Sequence, residues 1–378
     1  MSNIIRIPIT NIFADGDYTG VIQVGQAKKP MNVLLDTGSS ALALDGKKYQ
    51  PDFASGDQST HLAQTDSYDD GSSWTGAVIK SALTVGVGDT TATLADGNVA
   101  IAYKASADMF GNTDGILGLA YASLDDAFQM PQDTSKDHYS SAQVRSGKDA
   151  TLVPYLTQLA SAGVVSDKIS FYTRRSTVHV GAGGAHDPLN QGWMVVGGGE
   201  ESTDLYTGNF QSAKVLSDDW YSTNLKAVIV GDAQPIAARL HGPRGMSTNS
   251  IVDSGTQSLE ISPQMLAAIL SKFPAAQKTL LSKAIHNNDL VPTAHLQLDT
   301  WPTITFVLQG EAGDVRLDVP PSNYWQVNTE KVGMSAALIT VGDPGLTILG
   351  LPLMNGYFTI FDGEADGGKG VVKFAKAK

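Results

Sequence analysis

Two carboxylates stand where an apolar run ends: Asp36 in "MNVLLDTGSS" and Asp253 in "SIVDSGTQS". Each follows two apolar residues and precedes Thr or Ser, then Gly, then Ser or Thr. A carboxylate at the end of a strand that reads as buried is costly unless something compensates its charge, so each is either a turn residue or part of a site. Held as a pair, two carboxylates make a general acid and base: one takes a proton while the other gives one, provided their ionisations are separated.

The spacing favours the pair. "GILGL" places Gly118 82 residues after Asp36, and "TILGL" places Gly350 97 residues after Asp253. Asp-[Ser/Thr]-Gly-[Ser/Thr] arises by chance with a probability on the order of 2% in a chain of this size. Two copies, each followed at similar distance by Ile-Leu-Gly, therefore read as one lobe built twice.

The elements needed to position such loops are mostly strands. Runs such as "GVIQVG", "AVIKSALTVGV", "KISFYT", "WMVVGGG", "TITFVLQG" and "GYFTIFDG" are bounded by Gly, Asp, Asn and Ser clusters. Helical patterns are few: "TLVPYLTQLASAGV", ending at Gly163, and "SPQMLAAILSKF", opening with Ser262 as cap and Pro263 at the first helical position. At 378 residues the chain exceeds what one core usually serves, so an all-β protein of two lobes is expected, divided as 1–196 and 197–378, with Gly197 to Gly199 at the crossing.

Composition narrows the function classes. A net charge of −12 with no Lys/Arg block argues against nucleic acid or an anionic membrane as partner. With no cysteine, disulfides, thiol chemistry and Cys-based metal sites are ruled out. Seven histidines lack metal-ligand spacing, and the glycine-rich "VGAGGAHD" and "VVGGGEE" lack a βαβ setting, so neither a metal nor a phosphate cofactor is expected. The N-terminus has no apolar run of signal length, from which a cytoplasmic location is expected.

Over most of its length the chain resembles the pepsin-like aspartic proteases. "DYTGVIQVGQAKKPMNVLLDTGSS" is similar to that family's first hairpin and catalytic loop, "YDDGSSWTGAV" to its flap, and "TDGILGLAYASL" and "LTILGLPLMNGYFTIFD" to the segments that complete each catalytic loop. The resemblance implies a bilobal, almost all-β fold with a cleft between the lobes, acting as a monomeric endopeptidase on extended peptides or unfolded protein and open to statine-type inhibitors. Asp36 and Asp253 would be the catalytic carboxylates, with Gly38 and Gly255 permitting close backbone approach. Thr37 and Ser254 would bond across the lobes, and Ser39 and Thr256 would donate to the aspartates. Tyr68, Asp70 and Gly71 would close over substrate. Leu34, Phe110, Ile116, Trp220 and Ile251 would line apolar pockets beside the scissile bond, favouring large apolar residues at the cut.

Peptide hydrolysis by this route needs no metal and no covalent nucleophile. Two carboxylates about 3 Å apart at an effective dielectric near 20 repel by roughly 5 kcal/mol, which keeps one proton shared over a wide acid range. Hydroxyl donors on both sides favour ionised carboxylate, so an acid optimum is expected. The alternative is a catalytically silent binding or inhibitor protein on the same fold; such proteins usually lose an aspartate, a loop glycine or the flap, and none is lost here.

Three departures from the family pattern stand out. Ala43 occupies the position, seven residues after the first aspartate, where the family usually has a Trp that holds the flap tyrosine; Trp74, inside the flap, is the candidate substitute. Only 35 residues precede Asp36, about what the mature fold of the family uses, so if Met1 is the true start no basic prosegment and control by pH are expected. The polar stretch 127–150 reads as a surface insertion.

Overall fold

The computed structural model describes residues 3–378 apart from 69–70, 89, 136–137, 182, 240–241 and 243–247. The chain forms two compact units. The first comprises Met1–Ile9, Thr19–Asp167 and Val195–Gly197; the second comprises Thr10–Tyr18, Lys168–Met194 and Gly198–Lys378. The units thus interleave along the chain. Segments 10–18 and 168–194, which the sequence reading assigns to the first lobe, fall with the second unit, and the last passage between units lies at Gly197 and Gly198.

The first unit holds β3 (Lys29–Asp36), β4 (Leu42–Asp45), β5 (Gln58–Ser67), β6 (Ser73–Val87), β7 (Thr90–Ala105), β8 (Gly115–Gly118), β9 (Asp126–Gln129) and β10 (Lys148–Thr151), together with the first half of β1 (Ile5–Ala14) and most of β2 (Asp17–Val24), whose residues 10–14 and 17–18 fall with the second unit. Their hydrogen-bonded order is β10-β9-β5-β6-β7-β4-β8-β3-β2-β1. The far end of β6 also pairs with β2, at Ile22 with Val85 and Val24 with Leu83, curling the sheet toward closure. Residues alternate inward and outward along β3, which buries Met31, Val33 and Leu35 and carries Asp36 at its end.

In the second unit Ser250–Val252 runs parallel to Thr347–Leu349, which pairs antiparallel with Leu259–Ile261, itself parallel to Ile339–Val341. The first unit has the same arrangement: β3 is parallel to β8, β8 is antiparallel to β4, and β4 is parallel to β7. The internal repeat read from the sequence is therefore a repeat of four-strand topology. A hairpin of Tyr357–Asp362 and Val371–Ala377 contributes Phe358, Phe361 and Phe374 to the core of this unit.

Both expected helices form, as Tyr155–Ser161 and Pro263–Leu270, although the Ser262 side chain makes no capping bond. The longest helix among the described residues, Ala275–Asn287, escapes the sequence reading because it buries only Leu281 and Ala284 and so presents almost no apolar stripe. The stretch 127–150 is more than a surface excursion. It supplies most of β9 and β10 and a short helix α1 (Ser141–Arg145), packed along the outer edge of β5, where Ala63, Met130 and Val144 form a small core.

Candidate active site

Asp36 leaves β3 into a loop that folds back on its own carboxylate. The Gly38 backbone N–H donates to Asp36 Oδ1 at 2.8 Å and the Ser39 hydroxyl donates to Oδ2 at 2.5 Å. Asp253 is held by the same two contacts: Gly255 N–H to Oδ1 at 2.9 Å and the Thr256 hydroxyl to Oδ2 at 2.6 Å. Both aspartates are 7% exposed. A carboxylate so sheltered survives because charge-assisted donors replace its water, and here each oxygen is also fixed in direction. Thr37 and Ser254, the next residues, are buried.

Each loop is fastened to the segment that follows the Ile-Leu-Gly strand. Leu119 N–H donates to Asp36 O and Ala120 N–H to Ser39 O, both at 2.8 Å; Leu351 N–H donates to Thr256 O at 2.8 Å. The approach is tight. A β-carbon on Gly118 would stand 2.4 Å from the Ser40 carbonyl carbon, and one on Gly350 would stand 2.3 Å from the Thr256 and Ser258 carbonyl oxygens. Sequence reading used these glycines only as markers of the repeat. The structure makes them the positions where a methyl would displace an aspartate loop.

The β5–β6 hairpin ends in a turn in which Tyr68 N–H donates to Ser72 O and Gly71 N–H to Tyr68 O, both at 2.9 Å, with Gly71 at φ +82°. Asp70 lies outside the described residues. Tyr68 and Leu34, both partly buried, pack against a buried cluster that includes Phe110 and Ile116, so three of the expected pocket residues and the flap tyrosine come together. Burial pushes the Tyr68 phenol up, the charges of Asp66 and Asp36 add to the effect, and hydrogen bonds with Trp74 and Ser39 act the other way. Trp220 and Ile251 belong to the second unit. Ile251 lies two residues before Asp253 and pairs with Ser222, while Trp220 is half-buried next to that pair.

A family model for eukaryotic aspartyl protease matches residues 17–377. Among curated relatives, pepsin II-1 of Oryctolagus cuniculus is 25% identical over 363 residues, covering 93% of this chain and 79% of that protein. Pepsin A of Rhinolophus ferrumequinum is 26% identical over 369 residues, covering 94% and 80%, and gastricsin of Oryctolagus cuniculus is 27% identical over 372 residues, covering 93% and 80%. The matched family model and the pepsin and gastricsin relatives define the class, an aspartic endopeptidase of the hydrolases. The chain belongs to the aspartyl protease family, and the fold is the pepsin-like one the motifs indicate.

Proposed function

We propose that this endopeptidase cleaves extended peptides and unfolded proteins at acid pH, with Asp36 and Asp253 as the carboxylate pair that activates water. The observation that carries the reading is the duplicated cradle, in which one backbone N–H and one hydroxyl orient each carboxylate. The ionised member takes a proton from water and the protonated member gives one to the scissile carbonyl oxygen, leaving a neutral tetrahedral intermediate. Collapse breaks the C–N bond, the leaving amine takes a proton, and no acyl-enzyme forms. The apolar cluster beneath Tyr68 supports a preference for large apolar residues beside the cut. The working unit is a monomer that needs no cofactor.

The test is cleavage of a denatured protein at acid pH by the native chain and by Asp36→Asn and Asp253→Asn, with and without a statine-type inhibitor. Cleavage by the native chain alone, blocked by the inhibitor, is the expected result. Turnover surviving in either variant, or a native chain active only above neutral pH, overturns the proposal.

A further inference from the structure

Trp74 is almost completely buried, 1% exposed, on the strand that leaves the flap turn, where it pairs with Asp66 on β5 and Ala105 on β7. Its indole lies in the cluster of Ala41, Ala43, Ala100, Ala102, Phe110 and Ile116 that also carries Tyr68. Four of these neighbours are alanines, and two of them, Ala43 and Ala100, are register partners across β4 and β7. Together they leave the volume of one large ring, and Trp74 fills it.

A buried indole N–H must find an acceptor. The Trp74 Nε1–H donates to the Tyr68 hydroxyl at 3.3 Å. If the flap turn lifts, the tyrosine oxygen goes with it and the indole N–H is stranded in an apolar pocket, so the contact favours the closed tyrosine. Ala43, on the strand after the Asp36 loop, has no side chain with which to do this.

We propose that Trp74 is the positioning residue for the flap tyrosine in this protease: the anchor sits on the flap hairpin itself, and Ala43 is small because the anchoring ring enters from the other strand. The inference rests on the reading of Tyr68 as the residue that closes over substrate. It follows that Trp74 acts through Tyr68 and not through bulk. Trp74→Phe keeps an aromatic ring but removes the donor and part of the indole's volume, whereas Tyr68→Phe removes the acceptor alone, so the double variant separates the contact from the packing.

Trp74→Phe is expected to lower kcat/KM on an apolar-flanked peptide by roughly fivefold to tenfold, the worth of one buried hydrogen bond, with its thermal midpoint within a few degrees of the parent. Added to Tyr68→Phe it is expected to change nothing further. Losses that multiply in the double variant, or a Trp74→Phe enzyme within twofold of the parent, overturn the assignment. A second measurement does not depend on turnover. The indole ¹H–¹⁵N resonance that disappears in Trp74→Phe is expected to shift and to exchange faster with water in Tyr68→Phe. An unmoved resonance sinks the anchor even in an active enzyme, whereas a native chain that cleaves nothing while the resonance shifts sinks the proteolytic reading and leaves the contact standing.

Discussion

Asp125 in the first unit and Asp362 in the second are both buried carboxylates, and their surroundings act on them in opposite directions. Burial pushes Asp125 up to about 7; the Gln64 amide, donating at 2.7 Å, offsets part of this, and the charges of Asp66 and Asp126 add to it. Burial also pushes Asp66, two residues before the flap tyrosine, upward. Asp362 would rise by burial as well, but Lys373 at 2.7 Å and Lys168 at 3.0 Å hold it below the ordinary carboxylate value, and Glu200 is held low chiefly by Lys373 against the same burial.

The consequences for stability have opposite signs. Asp125 is protonated in the folded chain where an unfolded one would ionise, so its contribution is full below the ordinary aspartate value and is lost as pH rises through about 7. Asp362 and Glu200 contribute above the ordinary carboxylate range, and that contribution is lost as pH falls through their lowered values. Against this, the two carboxylates are held by matching contacts, one backbone N–H and one hydroxyl each. On the proposed chemistry both carboxylates are constrained alike, while the charges around Asp125 and Asp362 serve each unit's own stability.

The comparison breaks first at the aspartates. Asp36→Asn and Asp253→Asn are each expected to lower kcat by about 10³- to 10⁴-fold, and losses differing by more than tenfold would show that the loops are not equivalent. Next in size is Lys373→Met, which leaves Asp362 buried beside one remaining lysine. Urea unfolding at pH 7 is expected to show a loss of about 3–5 kcal/mol that shrinks as the carboxylates protonate, and a loss that grows on acidification would contradict the network.

Asp125→Asn sharpens the opposite case. In the parent, the first unit is expected to lose on the order of 3–4 kcal/mol between pH 4 and pH 8, and the variant to lose much less. Equal slopes in chemical denaturation would place the titration elsewhere. The smallest effects belong to the hydroxyls: Ser39→Ala and Thr256→Val are each expected to cost about tenfold in kcat, in like measure, since each removes one donor from a carboxylate.

Much of the site is legible in the chain because its contacts are local. Gly38 reaches back two residues to Asp36 and Ser39 three, and Gly255 and Thr256 repeat those intervals, so a four-residue pattern carries the geometry. Strand runs read well for the same reason. The helix Ala275–Asn287 was illegible because its exposed faces carry no apolar period, and the packing of 127–150 on β5 because polar side chains there disguise three buried contacts, Ala63, Met130 and Val144. The interleaving of segments 10–18 and 168–194 with the second unit had no local signal at all.

The residue order by itself determined the two aspartate loops, the duplication and the predominance of strands, since each follows from residues within a few positions of one another. Only the folded chain decided that Gly118 and Gly350 must lack a β-carbon, that Trp74 fills the space beside Ala43, and that Asp125 meets Gln64 from 61 positions away. These depend on volume and on dielectric. Both are properties of what packs against a residue, and the packing partners are chosen by the sheet.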